Sequence, residues 1–423
     1  MYCESYKKLN ISERAYETVR RLEKELKDVF ANIESIECEN QARVLNAFHD
    51  CRVAAHYFNP TTGYGYDDIG RDNLDRLFAE ALGGEAAIVS PQIISGTHAI
   101  FTALAGLLRP GDTMLSVSGK PYDTLMDAIG IENTAPCSLK ENGVEYDQVE
   151  LNGDGSFKLD EIAHKAKKLQ PRVAYFQRSR GYAWRESIIP QNMQPAFEII
   201  KKNSPNTIIV VDNCYGEFTQ NAEPLAYGAD IIVGSLIKNI GGGLAPTGGY
   251  IAGGKAYVER IANRMTVPGI GREAGSYFGS YLPFYQGLFN APHVVAQSLK
   301  TSALFAKVFE FLKLPTMPAS DANRSDIVQA LRFNTKEELI AFCRCIQSVS
   351  PVDGHVVPEP WAMPGYQNEV IMAAGTFIQG ASIELTADAP ICEPFTAYVQ
   401  GALNYSHGRL AVMRVLTELS TDD

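Results

Sequence analysis

The strand-like run TIIVVDNCYGEF carries Asp212 at its end, and the next such run, ADIIVGS, is followed by a single lysine, Lys238, and then by three glycines. In parallel sheets the ligand crevice lies off the carboxyl ends of the strands. A carboxylate and an amine so placed would face one crevice. A lysine beside an apolar crevice loses its proton readily and acts as a nucleophile or Schiff-base former. The glycines would let backbone come close to a ligand. Each residue also has a plainer reading, Asp212 as a turn cap and Lys238 as a surface charge.

Two further stretches point the same way. In IVSPQIISGTHAIFTAL, Ser95, Gly96 and Thr97 open a helical run, and free N–H groups at a helix start make a phosphate seat. A simple helix cap is equally consistent. In TMLSVSGKPYDTL, Tyr122 follows another strand end, where an aromatic could stack on a flat ring or fill core. A phosphate seat, a stacking ring, a strand-end carboxylate and a nucleophilic lysine together suit pyridoxal 5′-phosphate, whose ring becomes an electron sink when its nitrogen is held protonated. GGGLAPTGG lacks the spacing of a nucleotide-binding loop, which disfavours an NAD-binding protein.

The elements that must place these residues alternate. Apolar runs (AAIVS, TMLSV, RVAYF, TIIVVDN, DIIVGS) sit between helical stretches such as GTHAIFTALAGLL and QPAFEIIKKN, which predicts a buried parallel sheet in an α/β domain. Residues 1–55 read as an amphipathic helical arm, 56–295 as the large α/β domain and 296–423 as a smaller C-terminal α+β domain. In the last part KEELIAFCRCIQSV reads as a helix and TFIQGASIEL as strand-rich. The chain has 423 residues, 45% hydrophobic and 21% charged, with net charge −11. That acidity argues against nucleic acid. No apolar stretch reaches membrane-span length and the N-terminus has no signal-peptide core. The eight cysteines show no zinc spacing, so no metal site and a reduced, cytoplasmic protein are expected.

The segment from Val211 to Gly254 resembles the cystathionine/methionine lyase superfamily in its VDN strand end, its PLAYGADIIV segment (Pro224 to Val233) and its SLIK turn (Ser235 to Lys238). TGYGYDDIGRD, SGTHAI, LRPGD, PYDTL, QRSRGYAWR, YQGLFNAPH and ASIELTADAP are similar to the bacterial methionine gamma-lyase-like family, also called aluminium resistance proteins, from about residue 55 to the C-terminus. The resemblance implies a fold-type I pyridoxal-phosphate enzyme, a large mostly parallel-sheet α/β domain with a small α+β domain. It implies Lys238 as Schiff-base lysine and proton shuttle, Asp212 on the pyridine nitrogen, Ser95, Gly96, Thr97 and Ser235 around the phosphate, and Tyr122 on the ring. Tyr64, Tyr66 and Arg71 correspond roughly to residues that relatives lend to the neighbouring subunit's phosphate site. It therefore implies a homodimer or tetramer with shared active sites.

One position departs from the superfamily. Where a substrate-binding arginine is expected in TADAPICEPFTAY, Cys392 stands. A fork-shaped guanidinium suits a substrate carboxylate, so either Arg178, Arg180 or Arg409 serves or substrate choice differs here; Arg178 and Arg180 could equally shape their loop by salt bridges. His407 reads as structural. The expected activity is β- or γ-elimination of a sulfur amino acid. Transamination, γ-replacement and a catalytically weak cofactor-binding role in stress are the alternatives.

Overall fold

The computed structural model describes residues 2–132, 135–363 and 368–420. Three helices come first, α1 (Glu4–Lys8), α2 (Glu13–Glu25) and α3 (Lys27–Asp50). Ser12 caps α2 by accepting the Ala15 N–H at 3.1 Å. The apolar face of α2 (Ala15, Tyr16, Val19, Leu22) shares a buried core with Phe305, Phe342 and Met413 of the C-terminal half. Val44 and Ala47 of α3 instead join the core of the large sheet. The opening helices thus span both halves of the molecule.

After α4 (Ile69–Leu82) comes an alternating series. It runs β1 (Ala86–Ser90), α5 (Gly96–Leu107), β2 (Thr113–Ser116), α6 (Asp123–Ile129), β3 (Glu145–Gln148), α7 (Leu159–Leu169), β4 (Val173–Gln177) and α8 (Pro190–Asn203). It continues through β5 (Ile208–Asp212), β6 (Ile231–Ser235), β7 (Gly249–Gly253) and α9 (Lys255–Met265). The seven strands form one sheet in the order β1-β7-β6-β5-β4-β2-β3. The run from β3 to β6 is parallel. β7 is antiparallel to both neighbours, so AAIVS, expected as a parallel strand, pairs antiparallel instead. GYIAG carries a weak strand signal because glycine packs no side chain. Here glycine is required: a Cβ on Gly249 would stand 2.7 Å from Ile93 Cγ2. The aliphatic residues of β5, Ile208 to Val211, are fully buried. Each such side chain contributes about 1.5–3 kcal/mol relative to exposure, which anchors the strand ending on Asp212.

Helix α10 (Leu282–Phe311) leads into β8 (Thr316–Met317), β9 (Val328–Arg332), α11 (Lys336–Ser348), β10 (Val370–Ala373), β11 (Thr386–Pro390), β12 (Thr396–Gln400) and α12 (Tyr405–Leu419). The second sheet is antiparallel, in the order β10-β11-β12-β9-β8. Helix α11 opens on a capping box of Thr335 and Glu338. TFIQGASIEL does not form a strand. The Glu384 carboxylate accepts the N–H groups of Phe377 and Ile378, both at 2.9 Å, and closes the segment into turns. Backbone groups satisfied by a side chain need no sheet partner.

Among the described residues no helix is long and apolar enough to cross a membrane.

Candidate active site

The carboxyl ends of β4, β5 and β6 open on a cavity of about 550 Å³. Thr97 from the first turn of α5, Tyr122 after β2, Gln177 at the end of β4 with Arg180 after it, and Asp212 at the end of β5 with Tyr215 after it line it, with Lys238 beyond β6. The C-terminal sheet closes it with Val328, Asp388, Tyr398 and Gln400. The cavity therefore lies between the two sheets, off the strand ends of the first.

Strand pairing sets the registry. Gln177 is opposite Asp212 across β4 and β5, and Asp212 is opposite Val233 on β6. Lys238 is half-buried and its Nζ sits 4.1 Å from the centroid of the Tyr215 ring. Burial opposes its charge, but the Cys214 thiol, the phenols of Tyr215 and Tyr122 and the Asp212 carboxylate outweigh that and hold its pKa well above the usual lysine range. The turn carrying Lys238 is fixed from behind. A Cβ on Gly241 would fall 1.7 Å from the Leu236 carbonyl oxygen, and one on Gly242 (φ +55°) 2.3 Å from the Gly287 oxygen of α10. These glycines seat the turn against α10.

Asp212 is 4% exposed. Its Oδ1 accepts the Cys214 N–H at 3.1 Å and its Oδ2 the Tyr175 hydroxyl at 3.3 Å. Burial pushes its pKa up, with the Lys238 ammonium as the main opposing influence. Tyr122 shares a 2.9 Å hydrogen bond with Thr97 Oγ1, and its N–H donates to Gln177 Oε1 at 3.1 Å. Burial, then the neighbouring Asp212, raise the phenol's pKa, so it keeps its proton.

Ser95 does not line the cavity. It caps α5, accepting the His98 N–H at 3.0 Å. Gly96 packs between Cys214 and Ser235, where a Cβ would meet Cys214 Sγ at 3.2 Å and Ser235 Cβ at 3.3 Å. That contact brings the start of α5 against the buried Ser235 at the end of β6.

Of the three candidate arginines, only Arg180 lines the cavity. Its Nη1 donates to the Met317 carbonyl at 2.7 Å, while Nε and Nη2 are buried without a hydrogen-bond partner, Nε lying 3.6 Å from Asp326 Oδ2. Arg178 is turned away. Its fork serves Asn213 (2.7 Å), Thr219 (3.1 Å) and Ser325 (3.0 Å), and it pairs with Glu223 at 3.4 Å. Arg409 on α12 pairs with Glu23 at 2.8 Å and does not line the cavity. Arg178 thus shapes its loop through a salt bridge, and Arg409 ties α12 to α2. His407 Nε2 bonds the Val349 carbonyl at 2.8 Å. Cys392 lies in an adjoining cavity.

Tyr64 and Tyr66 stand apart, stacked at 5.4 Å and exposed, at 74% and 58%. Arg71 donates to the Gly65 carbonyl at 2.9 Å and the Gly275 carbonyl at 3.3 Å. None of the three lines this chain's cavity. Sequence reasoning assigned no role to Gln177, Tyr215, Asp388, Tyr398 or Gln400. Tyr215 and Asp388 lie inside quoted motifs, but nothing in their spacing marks them. Asp388 accepts from Gln400 Nε2 at 3.1 Å, and burial pushes it up to about 6.

A family model described as methionine gamma-lyase matches residues 15–420. The uncharacterised protein YnbB of Bacillus subtilis is 48% identical over 95% of this chain and 96% of its own length. The crystal structure of a carbon–sulfur lyase involved in aluminium resistance from Clostridium novyi superposes with a TM-score of 0.95 at 46% identity, covering 99% of this chain and all of that one. An L-methionine gamma-lyase of Pseudomonas putida is 30% identical over 49% of this chain and 47% of its own. With the two-sheet arrangement described above, these matches identify a fold-type I architecture, and the chain belongs to the methionine gamma-lyase family.

Proposed function

We propose that this chain is a pyridoxal 5′-phosphate-dependent carbon–sulfur lyase acting on a sulfur amino acid, with Lys238 as its reactive lysine. The observation that carries this reading is one cavity holding Lys238, Asp212, Tyr122 and the unpartnered nitrogens of Arg180.

The residues fit the cofactor. A buried carboxylate whose pKa is pushed up is stabilised by a cation beside it, and the protonated pyridine nitrogen would be such a cation for Asp212. The first turn of α5 leaves backbone N–H groups without intrahelical partners, of which Ser95 takes the one of His98; the others, with Thr97 and Ser235, suit the phosphate. Lys238 Nζ would reach the aldehyde carbon. When bound, the cofactor supplies an electron sink for negative charge at the substrate Cα.

The chain's own groups then divide the work. Arg180 Nη2 takes the substrate carboxylate, held in place by Met317 and Asp326. Lys238 Nζ removes the Cα proton and keeps it available for return. Tyr122, which stays protonated beside Asp212, can give a proton to the departing sulfur. The C-terminal sheet excludes water above them.

Tyr64 and Tyr66, exposed and outside the lining of this cavity, are proposed to reach the phosphate site of a second copy, in a dimer or tetramer. The test is turnover. Purified protein carrying the cofactor is supplied with cystathionine, methionine and cysteine, and released thiol and keto acid are measured. Cofactor binding without thiol release from any of them would sink the lyase reading and leave transamination as the competing one.

A further inference from the structure

A second cavity, about 540 Å³, adjoins the first and shares Lys120, Pro121, Asp123, Tyr182 and Tyr398 with it. On its far wall are Trp184 and Arg332, the last residue of β9. The Arg332 guanidinium stacks on Trp184, 3.7 Å from the ring centroid. Its Nε is buried with no hydrogen-bond partner, and among the described residues no carboxylate forms an ion pair with it. The acids nearby do not answer it. Glu132 is bound by Lys120, and Asp123 and Glu393 line the wall without an ion pair to Arg332. Stacking fixes the plane of a guanidinium and leaves its edge free for a planar anion.

The inner cavity must hold the cofactor and the amino-acid end of a substrate, which Arg180 meets. A longer thioether has to continue past Tyr182 and Tyr398 into the outer cavity. We propose that the outer cavity is the receptor for a second anionic end of the substrate, with Arg332 as its specificity-determining residue, so that the preferred substrates are thioether amino acids bearing a carboxylate on the sulfur's far side. This rests on the lyase reading for the chemistry, but the recognition can be tested separately.

Two pairs of ligands differ only in that carboxylate. L-2-Aminoheptanedioate and L-2-aminoheptanoate carry a methylene in place of sulfur and cannot release a thiol. S-(2-Carboxyethyl)-L-cysteine and S-propyl-L-cysteine are their thioether counterparts. Calorimetric titration of cofactor-loaded protein should show the diacid binding at least about tenfold tighter than the monoacid, as a charge-assisted hydrogen bond implies. Arg332→Met should weaken the diacid alone, bringing the two within about twofold, and Arg332→Lys should keep part of the preference. Equal affinities in the wild type, or an Arg332→Met variant that weakens both ligands alike, would overturn the inference. If the preference holds and depends on Arg332 but neither thioether releases thiol, anion recognition stands and β-elimination of these thioethers falls.

Discussion

Lys238 Nζ rests 4.1 Å over the ring of Tyr215, and Tyr215 holds a left-handed backbone at φ +69°. A non-glycine residue in that region costs on the order of 1 kcal/mol or more and persists where the surroundings over-determine it. The strain falls on the residue whose ring lies against the lysine, three residues after the strand end at Asp212. Removing the amine should therefore separate chemistry from structure. Lys238→Ala is expected to fold but to melt somewhat below the wild type, because the buried Asp212 loses the ammonium beside it. Its thiol release should drop by about a thousandfold, with partial rescue by an added small primary amine. An active Lys238→Ala protein would remove Lys238 from the mechanism.

Much of this arrangement is legible in the sequence. Asp212, Lys238 and Thr97 stand at ends of strongly patterned elements, where periodicity fixes the strand and the strand fixes the crevice. Arg178 and Arg180 show the limit. They are two residues apart after one strand, and the sequence treats them alike. Only packing separates them, since Glu223, Thr219 and Ser325 from distant segments close around Arg178. GYIAG was illegible as β7 because its glycines answer steric demands from Ile93 and Asp230 that have no local signature.

The two arginines should accordingly fail in different ways. Arg178→Met leaves the buried Glu223 only Arg43, at 3.7 Å, and strips a partner from Asn213, Thr219 and Ser325; orphaning a buried charge costs about 3–5 kcal/mol, and less where a second cation remains. The expected result is a clear fall in melting temperature. Arg180→Met also leaves the buried Asp326 without its cation and should lower the melting temperature, but unlike Arg178→Met it should lower kcat/KM for thiol release by about a hundredfold in the folded protein, mostly through KM. The reverse pattern would assign the carboxylate to Arg178.

Glu217 gives a pH signature. It is fully buried, its Oε1 accepts the Tyr250 hydroxyl at 2.8 Å and its Oε2 has no partner. Burial raises its pKa from 4.5 to about 8. The folded state therefore holds a proton that the unfolded state gives up. The resulting stability is complete below about pH 4.5 and is lost as pH rises towards 8. Glu217→Gln keeps an acceptor for Tyr250 and cannot titrate. The wild type should lose a few degrees of melting temperature relative to this variant between pH 5 and 8. A difference independent of pH would show that Glu217 is ionised throughout.

The glycines behind Lys238 make a steric prediction. Gly241→Ala would push a methyl to within 1.7 Å of the Leu236 oxygen, on the turn that carries the lysine. Gly83→Ala, at the αL end of α4 (φ +76°), meets nothing within 4 Å. The second should cost about 1 kcal/mol, the ordinary penalty of a left-handed alanine. The first should cost several times more, or displace Lys238 and abolish activity in whatever protein folds. Thermal melts and thiol release on both variants decide it. Equal, small effects would mean that the turn is free to shift and that its glycines could be serving a ligand after all.

The exposed tyrosines give the last prediction. A stacked, solvent-facing pair such as Tyr64 and Tyr66 is costly to leave bare, and exposed aromatics mark contact surfaces. If they complete a second copy's phosphate site, a chain bearing Tyr64→Ala and Tyr66→Ala should be nearly inactive while its own Lys238 is intact. A Lys238→Ala chain is inactive for the opposite reason. Unfolded together and refolded as mixed oligomers, the two should regain activity, because some sites then draw an intact lysine from one chain and intact tyrosines from the other. For random dimers, half of the assemblies are mixed and one of their two sites is whole, so recovery to about a quarter of the wild-type rate is expected. Recovery requires the tyrosines to act across the subunit boundary. An unimpaired double-tyrosine variant would show that they take no part in catalysis, and an impaired one that never complements would place their role within their own chain.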